Sequence, residues 1–290
     1  VPAVPQRHLV IDNPYVTGGS WYKGNVQVAS VRGIGQDLPA AIGRWYAAHG
    51  YAFLGISDQN TYTWTSEYGA TSLTPLAVVD ASYPFGDVLA VGDNRWLPAA
   101  DLQGAVDWIA RDNALPVLAT PLSMTKPIDP RSLSRLKRLF GLEIYDARLA
   151  AGANGDWTNL WDSLLTAGQR VYAFAADDAL SVSDAGRAWI EVQSRAPDAG
   201  SLMSSLRAGA FYASIGASFE QITVNGPQIT VQAASGDTLR FIGRNGRLLK
   251  TLSGPTGSYT VSGNEGYVRI EAIGDDGGRA WSQPLFLTWR

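Results

Sequence analysis

Phe53-Leu54-Gly55-Ile56-Ser57-Asp58-Gln59-Asn60 is a short apolar run that stops abruptly in four polar residues. Residues 53–56 read as a buried strand, and Ser57-Asp58 as the start of the loop at its end. Working outward, the same grammar repeats. Upstream, residues 26–30 read as a strand and residues 38–49 as a helix, with Leu38, Ile42, Trp45 and Tyr46 on one face. Downstream, residues 77–79 and 88–91 read as two more strands. Residues 102–112 read as a helix that groups Leu102, Ala105, Val106 and Ile109. Strands at 117–119, 142–145 and 171–175 then alternate with helices at 132–140 and 158–167. Strand–helix alternation with short connections predicts an α/β domain with a largely parallel sheet.

The pattern changes after about residue 217. Residues 222–224, 229–232, 238–242, 248–252, 258–261, 267–272 and 285–289 are β-patterned, and Asn225-Gly226, Asn245-Gly246 and Asp276-Gly277 separate several of them. Closely spaced strands without a helical stretch predict a small antiparallel β-sandwich. The expected organisation is an extended segment over 1–20, an α/β domain over 21–216 and a β-sandwich over 217–290.

Composition narrows the chemistry. The chain has 290 residues, 46% of them hydrophobic and 17% charged, with net charge −3. That describes an ordinary packed protein. Lysine and arginine are scattered singly, which argues against a nucleic-acid partner. No run of about 18 apolar residues occurs, so no membrane-spanning helix is expected. The chain has no cysteine, and His8 and His49 are its two histidines. Disulfides, zinc–thiolate sites and thiol catalysis are therefore excluded. Gly-x-Ser-x-Gly, the phosphate-binding P-loop and Gly-x-Gly-x-x-Gly are all absent. The opening Val1-Pro2-Ala3-Val4-Pro5-Gln6 reads as the extended start of a chain after signal-peptide removal. A secreted or cell-envelope location is the expectation, and a trimmed chain the alternative.

Several segments, in order, resemble the polymerase and histidinol phosphatase (PHP) superfamily, in its secreted-type metallohydrolase branch with a C-terminal β-domain. Residues 21–26 (WYKGNV) look like its opening strand and residues 49–54 (HGYAFL) like its second. Residues 169–173 with Asp177-Asp178-Ala179 look like its last barrel strand and loop, and residues 206–214 like its closing helix and strand. The resemblance implies a distorted (β/α)7 barrel whose loops bind up to three divalent metals through His, Asp and Glu. Such metals make hydroxide near neutral pH and hold phosphate oxygens.

The chain departs from the motif at most ligand positions. Where the superfamily has His-x-His after its first strand, this chain has Gln27-Val28-Ala29. Its Ser-Asp-Gly loop is Gly33-Ile34-Gly35, and the histidine expected after Asp58 is Gln59. The glutamate after the third strand corresponds to about Asp80 and the next histidine to Asp87. Thr120-Pro121 stands for His-Pro, and Asp178-Ala179-Leu180 for Asp-x-His. Isoleucine, alanine and leucine cannot coordinate a metal. The expectation is a PHP scaffold with no metal site and no cofactor.

Asp58, Asp80, Asp87 and Asp178 could serve metal-free acid–base chemistry, as carboxylate pairs do in glycosidases. Asp80, Asp87 and Asp178 could instead hold one hard cation, or merely cap loops. Tyr22, Lys23, Gln27, Arg32, Gln59, Asn60 and Thr120 are placed by the resemblance at strand ends or adjoining loops, where they suit sugar hydroxyls. Alternatively, Gln27 and Gln59 simply fill the volume of lost imidazoles. Among the tryptophans, Trp64 and Trp96 lie in polar segments and are candidates for stacking on a ligand, whereas Trp45, Trp108, Trp161 and Trp189 sit in apolar patterns that predict core. The leading functional expectation is a pseudoenzyme: a binding or structural component of an envelope or extracellular assembly. Its candidate partners are a glycan, an envelope component or a second copy of the chain. The alternatives are a metal-independent glycan hydrolase or lyase and, behind it, a metal-dependent phosphoesterase with unconventional ligands.

Overall fold

Residues 8–95, 98–119, 130–151, 155–235 and 238–290 are described by the computed structural model. The chain opens with β1 (Leu9–Asp12), β2 (Ser20–Asn25), α1 (Pro39–Ala48), β3 (Phe53–Leu54) and β4 (Thr74–Pro75). Next come β5 (Val78–Tyr83), β6 (Gly86–Val91), α2 (Leu102–Arg111), β7 (Leu115–Ala119) and α3 (Pro130–Leu133). They are followed by β8 (Gly141–Asp146), α4 (Ala147–Ala150), α5 (Thr158–Thr166), β9 (Tyr172–Ala176), β10 (Trp189–Ser194), α6 (Ala199–Arg207) and β11 (Phe211–Ser214). The rest is β: β12 (Ser218–Asn225), β13 (Gln228–Ser235), β14 (Thr238–Gly243), β15 (Arg247–Ser253), β16 (Thr256–Thr260), β17 (Tyr267–Ile273), β18 (Arg279–Ser282) and β19 (Leu285–Trp289).

The fold is mixed α/β, but the expected (β/α)7 barrel with a largely parallel sheet is not what forms. One sheet runs β5-β6-β7-β8-β9, and only its β7-β8-β9 half is parallel. The physical reason lies in connection lengths. A parallel pair needs a crossover of a dozen or more residues, whereas a hairpin turn suffices for an antiparallel one. Pro84 and Phe85 are the two residues between β5 and β6, and Gly86 takes the positive φ of 132° beyond them. On the other sheet β2-β3-β4 are parallel, but β10, which the apolar pattern did not reveal, runs antiparallel to both β2 and β11. Neither sheet closes on itself among the described residues. Isolated bridges, Gln59 to Asp80 and Val28 to Ala179, join the two sheets beyond the strand ends.

Between the sheets lies a shared apolar core. Val26, Phe53, Val78, Leu89, Val117, Phe174, Ile190 and Phe211 enter it from strands of both sheets, and Leu202, Met203 and Leu206 of α6 pack against it. The outer face of the five-stranded sheet is covered by α2 and α5, through Val106, Ile109, Trp161 and Leu164. Residues 132–140 were expected to be helical, yet helix stops at Leu133. The Gln103 side chain clamps Lys137 there, accepting from its N–H at 2.9 Å and donating to its carbonyl at 3.0 Å. Arg138 then takes a positive φ of 65°. Those backbone groups are satisfied outside a helix, so the spacing of Leu133, Leu136 and Leu139 serves a buried loop instead.

Beyond residue 217 the described residues hold β-strands and one 3₁₀ turn, Arg244–Gly246. The sheet β12-β13-β16 packs its alternating apolar positions, Phe219, Ile222, Ile229 and Val231, against Leu239, Phe241 and Ile270 of β14 and β17. This region is stitched to the rest at several points. β18 pairs with β11, making one continuous sheet, and β1 pairs with β19. Arg269 of β17 meets Asp162 of α5 in a buried ion pair at 2.8 Å, with Tyr267 donating to the same carboxylate at 2.7 Å. Gln283 donates to and accepts from the Ala173 backbone at 2.8 and 2.7 Å. No helix among the described residues is long and apolar enough to cross a membrane.

Candidate functional site

Strand alternation builds the site. Val78 and Leu89 point into the core between the sheets, so Asp80 and Asp87, two residues along, share that face. The register confirms it: Asp80 lies opposite Leu89, and Asp87 opposite Ala119 at the end of β7. At the ends of β8 and β9 come Asp146, opposite Ala176, and Asp178 just beyond. Four aspartates thus form a polar layer over the apolar ones, at the carboxyl ends of β7, β8 and β9. Asp178 adopts φ 46°, a left-handed backbone that aspartate tolerates better than most residues.

Electrostatics sets these groups apart from ordinary surface acids. Burial pushes the Asp80 carboxyl well above the usual carboxylate range, and the charges of Asp87 and Asp178 push the same way. Burial also raises Asp178, helped by the neighbouring Asp146 and opposed by the Arg148 guanidinium; the outcome is about 7. Asp146 is itself raised by burial, against the Leu149 N–H that its Oδ1 accepts at 2.9 Å. Asp146 and Asp178 perturb one another, and the Asp146 Oδ2 is buried with no hydrogen-bond partner among the described residues. Arg148 of α4 completes the group, its Nε donating to Asp178 Oδ2 at 2.8 Å and its second nitrogen to the same oxygen. The Asp178 side chain keeps 15% of its surface in solvent and that of Arg148 38%, so the pair is reachable from outside.

Asp58 and Asp177, equally buried, are tied up. Asp58 accepts from the Ser30 N–H and hydroxyl, both at 2.6 Å, and from the Thr63 hydroxyl. Asp177 accepts from Asn25, Tyr46, and the N–H groups of Gly186, Arg187 and Ala188, at 2.7–2.9 Å. Asp58 therefore serves as a structural clamp rather than one of a catalytic quartet.

The other residues singled out in the sequence scatter. Gln59 bridges to Asp80 through its backbone, and Asn60 donates its N–H to the Asp80 carbonyl at 2.8 Å, so both border the site. Asn60 also accepts from Ser82 N–H at 2.8 Å. Gln27 is buried at 3% exposure, and its Oε1 accepts no hydrogen bond from any described residue. A direct network of Gln27, Gln59 and Asp178 side chains does not form. Arg32 pairs with Glu67, which also accepts the Trp64 N–H at 3.2 Å. Trp64 is 61% exposed and edges against Tyr62. Tyr22 and Lys23 stand in the middle of β2 rather than at its end. Tyr22 packs into the core between the sheets. Lys23 points to the opposite face, its ammonium 3.7 Å from the Trp189 ring and 4.3 Å from Tyr51. Thr120 and Trp96 lie outside the described residues. Asp146 and Arg148 escaped the sequence reading. The available signal was an apolar strand ending in aspartate, the same signal that marks Asp58 and Asp178.

The donor set does not fit a two- or three-metal centre. Asp58 and Asp177 have their oxygens occupied, and a guanidinium sits on Asp178, where a cation would be repelled. His8 is exposed, and His49 stacks on Trp45 at 3.8 Å, holding the Trp45 carbonyl. Neither belongs to the aspartate layer. Among the described residues no group of three or more His, Asp, Glu or Cys is placed to hold a metal. The described cavities of about 270–400 Å³ lie elsewhere and touch none of the four aspartates.

No protein-family profile matches the chain, and no curated protein matches it. Among solved structures, it is similar to a two-domain protein from Bacteroides vulgatus containing a predicted PHP-like metal-dependent phosphoesterase. That likeness spans 97% of this chain and 100% of the other, with a TM-score of 0.57 and 12% identity. PsfC from Pseudomonas syringae is more distant, with a TM-score of 0.45 and 12% identity over 64% of this chain and 87% of its own. The likeness to the PHP-like structure is one of fold and extends over nearly the whole chain.

Proposed function

We propose that this chain is a PHP-like scaffold turned to ligand binding, without the metal-dependent phosphoesterase chemistry ascribed to its structural neighbour. The observation that carries the reading is the fate of the strand-end carboxylates. Asp58 and Asp177 are saturated by hydrogen bonds, and Asp178 is held by Arg148. The ligand we favour is a glycan, in a secreted or cell-envelope setting. Gln59, Asn60 and Trp64 offer the amides and exposed ring that sugars use.

A second reading, a metal-independent glycan hydrolase or lyase, is favoured by the raised carboxyl of Asp178, which neighbours Asp146 and keeps part of its surface in solvent. A carboxylic acid titrating near neutrality is what general acid catalysis requires. One purified preparation tests both readings. Elemental analysis after chelator-free purification is expected to find less than about one zinc, manganese or iron per chain; two or more sinks the first proposal. Glycan-array binding that survives in Asp178→Asn supports the binding protein. Glycan cleavage abolished in Asp178→Asn, with folding intact, establishes the enzyme instead.

A further inference from the structure

β10 ends at Ser194, opposite Ser20 at the start of β2. This is the end of the strands away from the aspartate layer. Between that edge and α6 lies a cavity of about 400 Å³, walled by Thr17, Ser194, Arg195, Ser201, Ser204 and Ser205, with Gly200. We propose that it binds a phosphorylated polyol.

The lining is chemically one-sided. It brings five hydroxyl side chains and one guanidinium together, with no carboxylate among them. Arg195 makes no ion pair or hydrogen bond with any described residue, although elsewhere in this chain arginines such as Arg32, Arg95, Arg148 and Arg269 are paired. A free guanidinium is a forked donor suited to a phosphate. Ser205 is only 5% exposed, and no described residue bonds to its hydroxyl. The Thr17 hydroxyl oxygen is buried and equally without a partner. Leaving buried hydroxyls unbonded is unfavourable. The Ser205 oxygen, unlike that of Thr17, is open to the cavity, so a ligand carrying its own hydroxyl groups can bond it directly.

The end of α6 does not hold the anion. Asp198 caps it, accepting the Ser201 N–H at 2.9 Å, and Ser194 gives its hydroxyl to the Ala196 carbonyl at 2.8 Å. Arg195 is therefore the anchor for charge, and Ser201, Ser204 and Ser205 are the contacts for the polyol. A volume of about 400 Å³ exceeds a bare phosphate ion and lies within the range of small-molecule pockets.

The test is a titration of the ¹⁵N-labelled full chain with glucose 6-phosphate, with glucose and inorganic phosphate as separate arms. The expected result is saturable shifts of the Arg195, Ser201, Ser204 and Ser205 amides by glucose 6-phosphate, and weaker binding of either half alone. Arg195→Ala and Arg195→Gln change an exposed residue and leave the fold intact. Each is expected to weaken glucose 6-phosphate binding by about fivefold or more. No shift at these amides up to roughly 10 mM ligand, or a smaller loss in both variants, overturns the proposal. Equal binding of inorganic phosphate and glucose 6-phosphate also overturns it, because the polyol contacts would then contribute nothing.

Discussion

Asp177 and Asp80 carry buried carboxylate oxygens at opposite edges of the five-stranded sheet, and the molecule treats them in opposite ways. Asp177 is fully buried and receives hydrogen bonds from three backbone N–H groups, an amide and a phenol. No described group donates to the Asp80 side chain, whose Oδ1 is buried, and its nearest charges are other carboxylates. Burial is common to both; hydrogen-bond supply is not. One carboxylate holds a loop in place, while the other lowers stability in a location where a function could use it. Asp146 and Asp178 fall between the two cases, with one N–H on Asp146 and one guanidinium on Asp178.

The largest expected effect comes from breaking the satisfied member. Asp177→Asn keeps the shape but loses the charge and turns an NH₂ toward donors. With hydrogen bonds to charged groups contributing about 1.5–3 kcal/mol each, the variant is expected to lose about 3 kcal/mol or more in urea unfolding at pH 7. A loss under about 1 kcal/mol would mean that burial alone, not the five bonds, distinguishes Asp177.

Asp80→Asn should act in the other direction. A carboxyl whose folded pKa is raised favours folding below the unfolded pKa, and that contribution is lost as pH rises through the folded value. Wild-type stability should therefore fall above about pH 4, partly on account of Asp80. The Asn variant lacks this slope. It is expected to be about 1 kcal/mol more stable than wild type at pH 8, with the gain shrinking toward pH 4. Denaturant melts across that range check it, and destabilisation at pH 8 would place Asp80 with Asp177.

This contrast was only half legible in the sequence. Asp58, Asp80, Asp87 and Asp178 could be picked out by their match to the ligand positions of the family resembled, but nothing in the one-dimensional pattern separates a clamped acid from a crowded one. The clamp on Asp58 comes from Ser30, 28 residues away, and from Thr63. Asp177 is held largely by backbone N–H groups, which carry no residue signature. The β-rich character after residue 217 was readable because alternation and Gly turns are local. The antiparallel course of β5, β6 and β10 was not, since alternation shows where a strand lies and not which neighbour it pairs with. Asp146 was hidden for that reason: only the pairing of β8 with β9 brings it to Asp178.

The smallest effect on stability, and the most specific, concerns that last pair. Asp178 titrates at about 7 because burial and Asp146 both raise it while Arg148 resists. Asp146→Asn removes the neighbouring charge but leaves burial and Arg148 in place. The Asp178 midpoint, followed by carboxyl ¹³C shifts, should drop by about one unit or more. The pH range over which stability falls on account of Asp178 should narrow from its upper end, and the total loss above it should shrink, because the slope lies between the unfolded and folded pKa values. A midpoint that stays near 7 would mean that burial sets it alone. Asp146 would then be a helix cap for α4, bound to the Leu149 N–H and nothing more. A midpoint that falls shows that the two acids titrate as one unit, the property that a proton-transferring or proton-sensing site needs and that a loop clamp does not.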